Sequence, residues 1–191
     1  MLSRGRSVMA PGRAGFTLRD RSARRLRQAG VVVGMIAALA CFHGNTTEPT
    51  SLTTVTEAGW SFGFCLGPCQ GTLMVDGEAV RYTISSREGE VFADNEGTLT
   101  STGAGRLATA VAGLPGRLAA RYGCPDCADG GAAFFELQGE AGPRRVEYEY
   151  RGAPAALVAL DSELNGIMEA LAACRPTNAV TPAAGCIVFE R

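Results

Sequence analysis

The chain has no lysine and only one histidine, and both features narrow its chemistry. All 18 basic residues among the 191 are arginines, and the one histidine, His43, lies in a polar stretch ahead of the segments with hydrophobic periodicity. Catalytic Ser-His-Asp and Cys-His sites, and histidine-ligated metal sites, are therefore excluded from the domain that follows. The sequence also has no P-loop and no G-x-G-x-x-G between a strand and a helix, the patterns that bind nucleotide phosphates.

The positive charge is concentrated at the start of the chain. Eight arginines precede residue 30, where Asp20 is the one acid. Beyond residue 40, 10 arginines stand against 18 Asp and Glu residues, a net charge of −8. Because an acidic surface repels a phosphate backbone, we expect no nucleic-acid binding.

The apolar run that follows the arginines is too short to span a bilayer, which takes roughly 20 residues. The run reads GVVVGMIAALAC over residues 30–41 and places Ala38-Leu39-Ala40 directly before Cys41. An arginine-rich start, a short apolar segment and small residues are the layout of an export signal. Residues 1–40 are therefore predicted to direct the protein to the periplasm or the outer cell envelope.

Cys41 leaves two alternatives open for the mature N-terminus. Lipid modification of Cys41, as in bacterial lipoproteins, would anchor the protein to a membrane, and it would leave an even six of the seven cysteines. Ordinary cleavage after Ala40 is favoured by Ala38, which stands where lipoproteins usually carry leucine. Residues 41–58 are polar and threonine-rich without periodicity, which predicts a flexible tether in either case.

From residue 59 onward the pattern predicts one folded domain. Trp60, Phe62 and Phe64 alternate with small residues, which indicates a strand with one aromatic face. The simplest interpretation of this face is core, and the alternative is a strip that faces a ligand. Asp76-Gly77 suits the tight turn of a hairpin within GTLMVDGEAVRYTISS, and a short strand is predicted over residues 90–93.

Further along, a helix is predicted over residues 102–113 and a second hairpin over AAFFELQG and RRVEYEYR. Its acids Glu147 and Glu149 share one face, which we interpret as solvated surface. A last helix after Pro154 carries an apolar stripe of Leu157, Leu160, Leu164, Ile167, Met168 and Leu171. The tail CIVFER is predicted to add an edge strand. The fold class is therefore α+β, an antiparallel sheet of about five strands with two helices on one face, held by disulfides.

The segment CPDCADGG, residues 124–131, allows redox or metal chemistry. A redox C-x-x-C lies at the start of a helix, but the residues after Cys127 cannot begin one. The carboxylates of Asp126 and Asp129 would also raise the pKa of the Cys124 and Cys127 thiols. Cys124 and Cys127 together with Cys65 and Cys69 have zinc-ligand spacing, although exported thiols are oxidised before they meet zinc. A calcium site on Asp126 and Asp129 misses the ligand spacing of the known calcium loop.

Disulfides are the interpretation that we favour, with no metal or cofactor. Six cysteines allow 15 pairings. Our choice is Cys65–Cys69, Cys124–Cys127 and Cys174–Cys186, the last tying the tail to the end of the final helix.

Three features together resemble a group of exported bacterial domains of unknown function with a C-x-G-x-C turn between two strands. They are SFGFCLGPC over residues 61–69, the following strand with Asp76-Gly77, and CPDCADGG. The resemblance spans about residues 59–174 and implies an architecture but no activity. We expect a non-enzymatic envelope domain that binds a protein or small ligand. The alternative is a thiol-redox or zinc-binding protein that uses the CxxxC and CPDC cysteines.

Overall fold

A computed structural model describes residues 52–189. The predicted export signal and the lipidation of Cys41 lie outside the described residues. The elements in chain order are β1 (Leu52–Ser61), β2 (Gln70–Asp76), β3 (Ala79–Ser85), β4 (Val91–Leu99), α1 (Ser101–Ala112), β5 (Arg121–Tyr122), β6 (Ala132–Gly139), β7 (Gly142–Glu149), α2 (Val158–Ala172) and β8 (Val180–Pro182).

The eight described strands form one sheet in the order β5-β7-β6-β1-β2-β3-β4-β8. Neighbouring strands are antiparallel except for β5 and β7, which are parallel. The α+β class is confirmed, but the prediction of about five purely antiparallel strands is wrong. The two edge strands contain only two and three residues, too few to leave a periodic signal in the sequence.

The first strand begins at Leu52, inside the segment predicted to be a tether. Val55 and Ala58 are both buried in the core, although residues of one strand face normally lie two positions apart. The pairing of β1 with β6 shifts register between Val55 and Glu57, so an irregularity interrupts the alternation. Because of this interruption, the start of β1 lacks the two-residue alternation by which strands are recognised in a sequence.

Both edges of the sheet are short, which limits pairing with another chain. At one edge Pro182 ends β8, a position that suits a residue without a backbone N–H group. The prediction that the tail CIVFER forms the edge strand is wrong. The tail instead follows the end of α2, where the Phe189 N–H donates to the Ala172 carbonyl at 2.9 Å.

The cross-strand register arranges the inner face of the sheet in rows. One row runs from β7 to β4 through Tyr148, Ala133, Trp60, Gly71, Ile84 and Ala93. The next row runs through Val146, Phe135, Ala58, Leu73, Tyr82 and Asn95. The buried residues of α1 and α2 belong to the same hydrophobic core as these rows, so both helices cover this inner face.

Both predicted helices are confirmed to within a few residues. Thr100 caps α1, because its hydroxyl accepts a hydrogen bond from the Gly103 N–H at 3.0 Å. The buried side of α2 is built from Leu160, Leu164 and Ile167 and their neighbours on the predicted stripe. Within residues 52–189, neither helix combines the length and the apolar character needed to cross a membrane.

A buried asparagine holds the end of α2, the tail and β4 together. Asn95 is 1% exposed, and its amide nitrogen donates to the carbonyls of Leu171 at 3.0 Å and Ile187 at 2.8 Å. Its amide oxygen accepts from the Ile187 N–H at 2.8 Å. The disulfide between Cys174 and Cys186, with Cα atoms 5.6 Å apart, closes the same junction. These contacts fix where the tail runs.

Candidate functional site

A cleft of about 450 Å³ lies between the inner face of the sheet and one side of α2. Its lining includes several aromatic residues, among them Trp60 from β1, Tyr82 from β3, Tyr148 from β7 and Tyr150 just beyond β7. Clefts of this size with apolar walls and a few polar groups are the usual sites for small ligands. This cleft is therefore the candidate functional site.

Small residues around Trp60 leave room for its indole ring. In its row Trp60 lies between Gly71 and Ala133, so its cross-strand neighbours on both sides carry little or no side chain. A Cβ atom added at Gly71 would lie 2.5 Å from both the Trp60 indole nitrogen and the Tyr82 hydroxyl oxygen. The missing side chain lets the indole reach diagonally to Tyr82, and its N–H donates to the Tyr82 hydroxyl at 2.9 Å.

The second polar pair in the cleft joins the sheet to α2. The Tyr148 hydroxyl donates to Oδ1 of Asp161 at 2.6 Å. Burial raises the pKa of Tyr148 well above its usual range, and the hydrogen bond to Asp161 raises this pKa further. Tyr148 therefore stays protonated at neutral pH and holds the Asp161 carboxylate in place at the cleft.

One side of α2 presents polar groups to the cleft. Asp161, Asn165 and Glu169 recur every four residues, so they lie above one another on the same side of the helix. The helix ends beside the cleft, where Ala172 and Ala173 also line it. No basic residue lies in the last turn. The negative end of the helix dipole therefore adds to the two carboxylates.

A cluster of rings forms the rim. The Phe62 ring meets the Tyr150 ring edge-on with centroids 4.9 Å apart, and the Trp60 centroid lies 5.6 Å from that of Phe62. Arg151 follows at the rim in a left-handed conformation, with its guanidinium carbon 5.3 Å from the centre of the Tyr150 ring. The side chain of Phe189 lines another part of the cleft.

The three alternating aromatics of the predicted strip occupy different environments. Trp60 is 6% exposed and lines the cleft, and Phe62 is half-buried in the rim cluster. Phe64 is 80% exposed in the loop that follows β1. The prediction of one continuous aromatic face is wrong, because β1 ends at Ser61 and the later residues no longer follow the pleat.

The six cysteines within the described residues lie in three pairs at disulfide distance. The pairs are Cys65–Cys69, Cys124–Cys127 and Cys174–Cys186, with Cα separations of 5.7, 5.4 and 5.6 Å. They are the same pairs that the sequence analysis chose. Cys127 opens only a three-residue 3-10 turn, Cys127–Asp129, rather than the helix of a redox C-x-x-C.

The acids considered as metal ligands do not converge on a common point. Oδ1 of Asp126 accepts a hydrogen bond from the Gly63 N–H at 2.8 Å, which joins the two disulfide loops. Neither Asp126 nor Asp129 belongs to a metal-binding cluster, since residues 52–189 hold no group of three or more His, Cys, Asp or Glu side chains placed for an ion. The zinc alternative needs four free cysteines. They are instead joined in two pairs, Cys65–Cys69 and Cys124–Cys127.

Most residues of the cleft were not predicted from the sequence. Tyr82 and Tyr148 belong to different hairpins, and only the sheet order brings them near Trp60. The polar stripe at Asp161, Asn165 and Glu169 carried a signal, a repeat of four residues beside the apolar stripe of α2. No protein-family model, no curated protein and no solved structure matches this chain.

Proposed function

We propose that this protein is an exported, non-enzymatic binding domain of the cell envelope that holds a small ligand in the cleft between the sheet and α2. The observation that carries the proposal is the cleft itself. About 450 Å³ of space is walled by Trp60 and three tyrosines, and polar groups of α2 face it from one side. That combination is what orients and retains a small molecule.

The chemistry of the cleft suits binding better than catalysis. An efficient general acid or base needs a pKa near the working pH. Burial and Asp161 move the pKa of Tyr148 away from neutrality, so this hydroxyl serves as a fixed hydrogen-bond donor. Three disulfide pairs in a domain of this size fit an oxidising compartment, in keeping with export.

Occupancy of the cleft can be measured through its own chromophore. Trp60 is the single tryptophan of the chain and lines the cleft, so its fluorescence reports a bound ligand. We expect some members of a library of small polar and aromatic metabolites to shift this emission and to raise the melting temperature. A library without a single hit would reject the cleft as a small-ligand site.

A matched pair of variants on α2 shows where a hit binds. Ala172→Leu fills the cleft, whereas Ala159→Leu adds the same bulk at an exposed position of α2 outside the cleft. Ligand binding should be lost in the first variant and kept in the second. Equal binding to both would place the ligand elsewhere and contradict the proposal.

Export and the state of the sulfurs are tested together by intact mass after bacterial expression and cell fractionation. We expect an envelope-associated product without residues 1–40, with Cys41 either lipidated or N-terminal, and with the other six cysteines protected from alkylation until they are reduced. An uncleaved chain in the cytosol would contradict export. Alkylatable thiols or bound zinc at Cys65, Cys69, Cys124 and Cys127 would favour the thiol or metal alternative.

A further inference from the structure

We infer that the cleft selects an organic cation, an ammonium or guanidinium group carried on a small apolar or aromatic body. This inference rests on the proposed ligand-binding function and adds the chemical class of the ligand. It comes from three sources of negative potential that meet at the same place: two carboxylates, the end of a helix and the faces of aromatic rings.

The carboxylates of the cleft have no positive partner in the described part of the chain. None of the ion pairs formed by residues 52–189 involves Asp161 or Glu169. Asp161 is half-buried and accepts a hydrogen bond only from a neutral hydroxyl, that of Tyr148. Glu169 lies two turns along the same side of α2, exposed at the cleft. A cationic ligand would supply the charge that both carboxylates lack.

The C-terminal end of α2 also adds negative electrostatic potential at the cleft. Backbone dipoles leave partial negative charge at the C-terminal end of a helix, and Ala172 and Ala173 bring that end to the cleft. The last turn of α2 has no Lys or Arg, but the carbonyls of Leu171 and Ala172 accept hydrogen bonds from neutral groups, and Arg175 follows just beyond the helix, so the contribution of the helix end is small. The helix end and the carboxylates thus reinforce each other.

The partly exposed rings of the lining favour a cation of low hydration. Trp60, Tyr82 and Tyr148 are at most 6% exposed, so the half-buried rings of Tyr150 and Phe189 are the ones that can offer a face. The face of an indole or phenol ring is electron-rich and attracts a cation within about 6 Å of its centre. The chain already shows this affinity at the rim, where the Arg151 guanidinium carbon lies 5.3 Å from the centre of the Tyr150 ring. An anion would face Asp161 and Glu169 with Arg151 as the one cation among the lining residues. A neutral ligand could donate hydrogen bonds to the carboxylates but would gain no ionic attraction from them.

The test compares ligands that differ only in charge. Choline and its uncharged isostere 3,3-dimethyl-1-butanol form one pair, and benzylamine and benzyl alcohol form another. Titrations followed by Trp60 fluorescence at low salt should show each cation binding at least tenfold more tightly than its partner, with a smaller ratio at high salt. Equal affinity within both pairs, or no binding of either cation while library compounds do bind, overturns the cation inference and leaves the binding function intact.

Two variants should move the affinity for cations in opposite directions. Asp161→Asn removes the charge but keeps an oxygen for the Tyr148 hydroxyl, so cation binding should weaken about tenfold and binding of the neutral partner should not change. Arg151→Gln removes the competing positive charge, so cations should bind more tightly. Had the cleft preferred an anion, both changes would have the reverse sign, and that result overturns the inference.

Glu163→Gln is the matched control on the same helix. Glu163 pairs with Arg106 of α1 at 2.7 Å and is not part of the cleft, so its loss should leave cation affinity unchanged. If Glu163→Gln weakened binding as much as Asp161→Asn, the effect would be one of total surface charge and the inference would fail. Circular dichroism and the melting temperature of each variant establish that the fold is retained.

Discussion

The two faces of the sheet handle charge in opposite ways. On the outer face acids and arginines pair across strands, Arg81 with Asp94 and Arg145 with Glu57, and along one strand, Arg145 with Glu147. At the cleft on the inner side, Asp161 and Glu169 of α2 have no arginine partner within the described residues. The outer face neutralises part of its charge in these pairs, whereas the cleft places two carboxylates without an ion pair beside aromatic residues. This difference is the reason that the proposed ligand site is the cleft and not the outer face.

Neighbouring phenylalanines on β6 illustrate the same contrast in packing. Phe135 points inward, is 0% exposed and lies in a row of the core, with Ala58 and Val146 opposite it. Phe134 points outward and is only 7% exposed, because the Arg145 guanidinium carbon covers its ring at 3.5 Å. The inner ring is packed on all sides, whereas the outer ring lies over the Gly59 backbone and is covered from outside by one flexible side chain.

The largest expected effect on stability comes from removing the inner ring, Phe135, and the matched outer ring, Phe134, serves for comparison. Phe135→Ala leaves a cavity that the surrounding rows and helices cannot fill, so it should lower the free energy of unfolding by about 3–5 kcal/mol. Phe134→Ala removes a ring that solvent can replace, with an expected loss of about 1–2 kcal/mol. Chemical denaturation of both variants measures the difference. Equal losses would mean that the outer face contributes as much to the core as the inner one.

A second prediction concerns pH and the inner face. Because the pKa of Tyr148 is raised in the folded state, the unfolded chain releases this proton first as pH rises. The contribution of Tyr148 to stability is therefore complete below about pH 10 and falls above it, by at most about 1.4 kcal/mol per pH unit. The stability difference between the wild type and Tyr148→Phe should shrink as pH rises from 10.

Asp161→Asn separates the two causes of the raised pKa of Tyr148, burial and the hydrogen bond to Asp161. Burial is the larger cause of the raised pKa and survives this substitution, so part of the alkaline slope assigned to Tyr148 should remain. Complete loss of the slope in Asp161→Asn would show that the carboxylate, and not burial, controls the hydroxyl. A gap between wild type and Tyr148→Phe that stays constant up to the alkaline limit of folding would contradict a raised pKa altogether.

The smallest effect is expected on the outer face. The hydrogen bond from Arg81 is the main reason that the pKa of Asp94 is lowered, so its stabilisation is present above the usual aspartate pKa and is lost on acidification. The pair is largely exposed and screened, and Asp94→Asn should cost less than about 1 kcal/mol at neutral pH. Asp76→Asn, at an exposed position at the end of β2, serves as the control in the same denaturation series. A cost above 2 kcal/mol would show that the outer face is not the weakly coupled surface described above.

Local patterns predicted much of the fold. The hairpin of β2 and β3 was visible because alternation and a glycine turn coincide, and Gly77 indeed has φ of +60°. Both helices were visible from their apolar spacing. The beginning of β1 was hidden by its irregular register, and β5 and β8 were hidden by their shortness. Strands of two or three residues exist only because a longer neighbour offers them hydrogen bonds.

The candidate site was much less predictable. Trp60 was singled out in the sequence as an alternating aromatic, but nothing local indicated that Tyr82 and Tyr148 would join it. The acids of α2 were not predicted to belong to a site, because the helix was recognised by its apolar stripe alone. Asp126, a carboxylate that the sequence did single out, accepts a hydrogen bond from the Gly63 N–H and joins two loops.

By itself the sequence determined the alternation of hairpins and helices, the acidic character of the domain and a plausible pairing of its cysteines, because each of these depends on residues close together in the chain. The tertiary structure alone decided which strands are neighbours, and therefore that one ring from each of β1, β3 and β7 lies opposite the polar side of α2. The reason is that periodicity states which face of a strand is buried, whereas strand order is set by the simultaneous packing of all the buried faces.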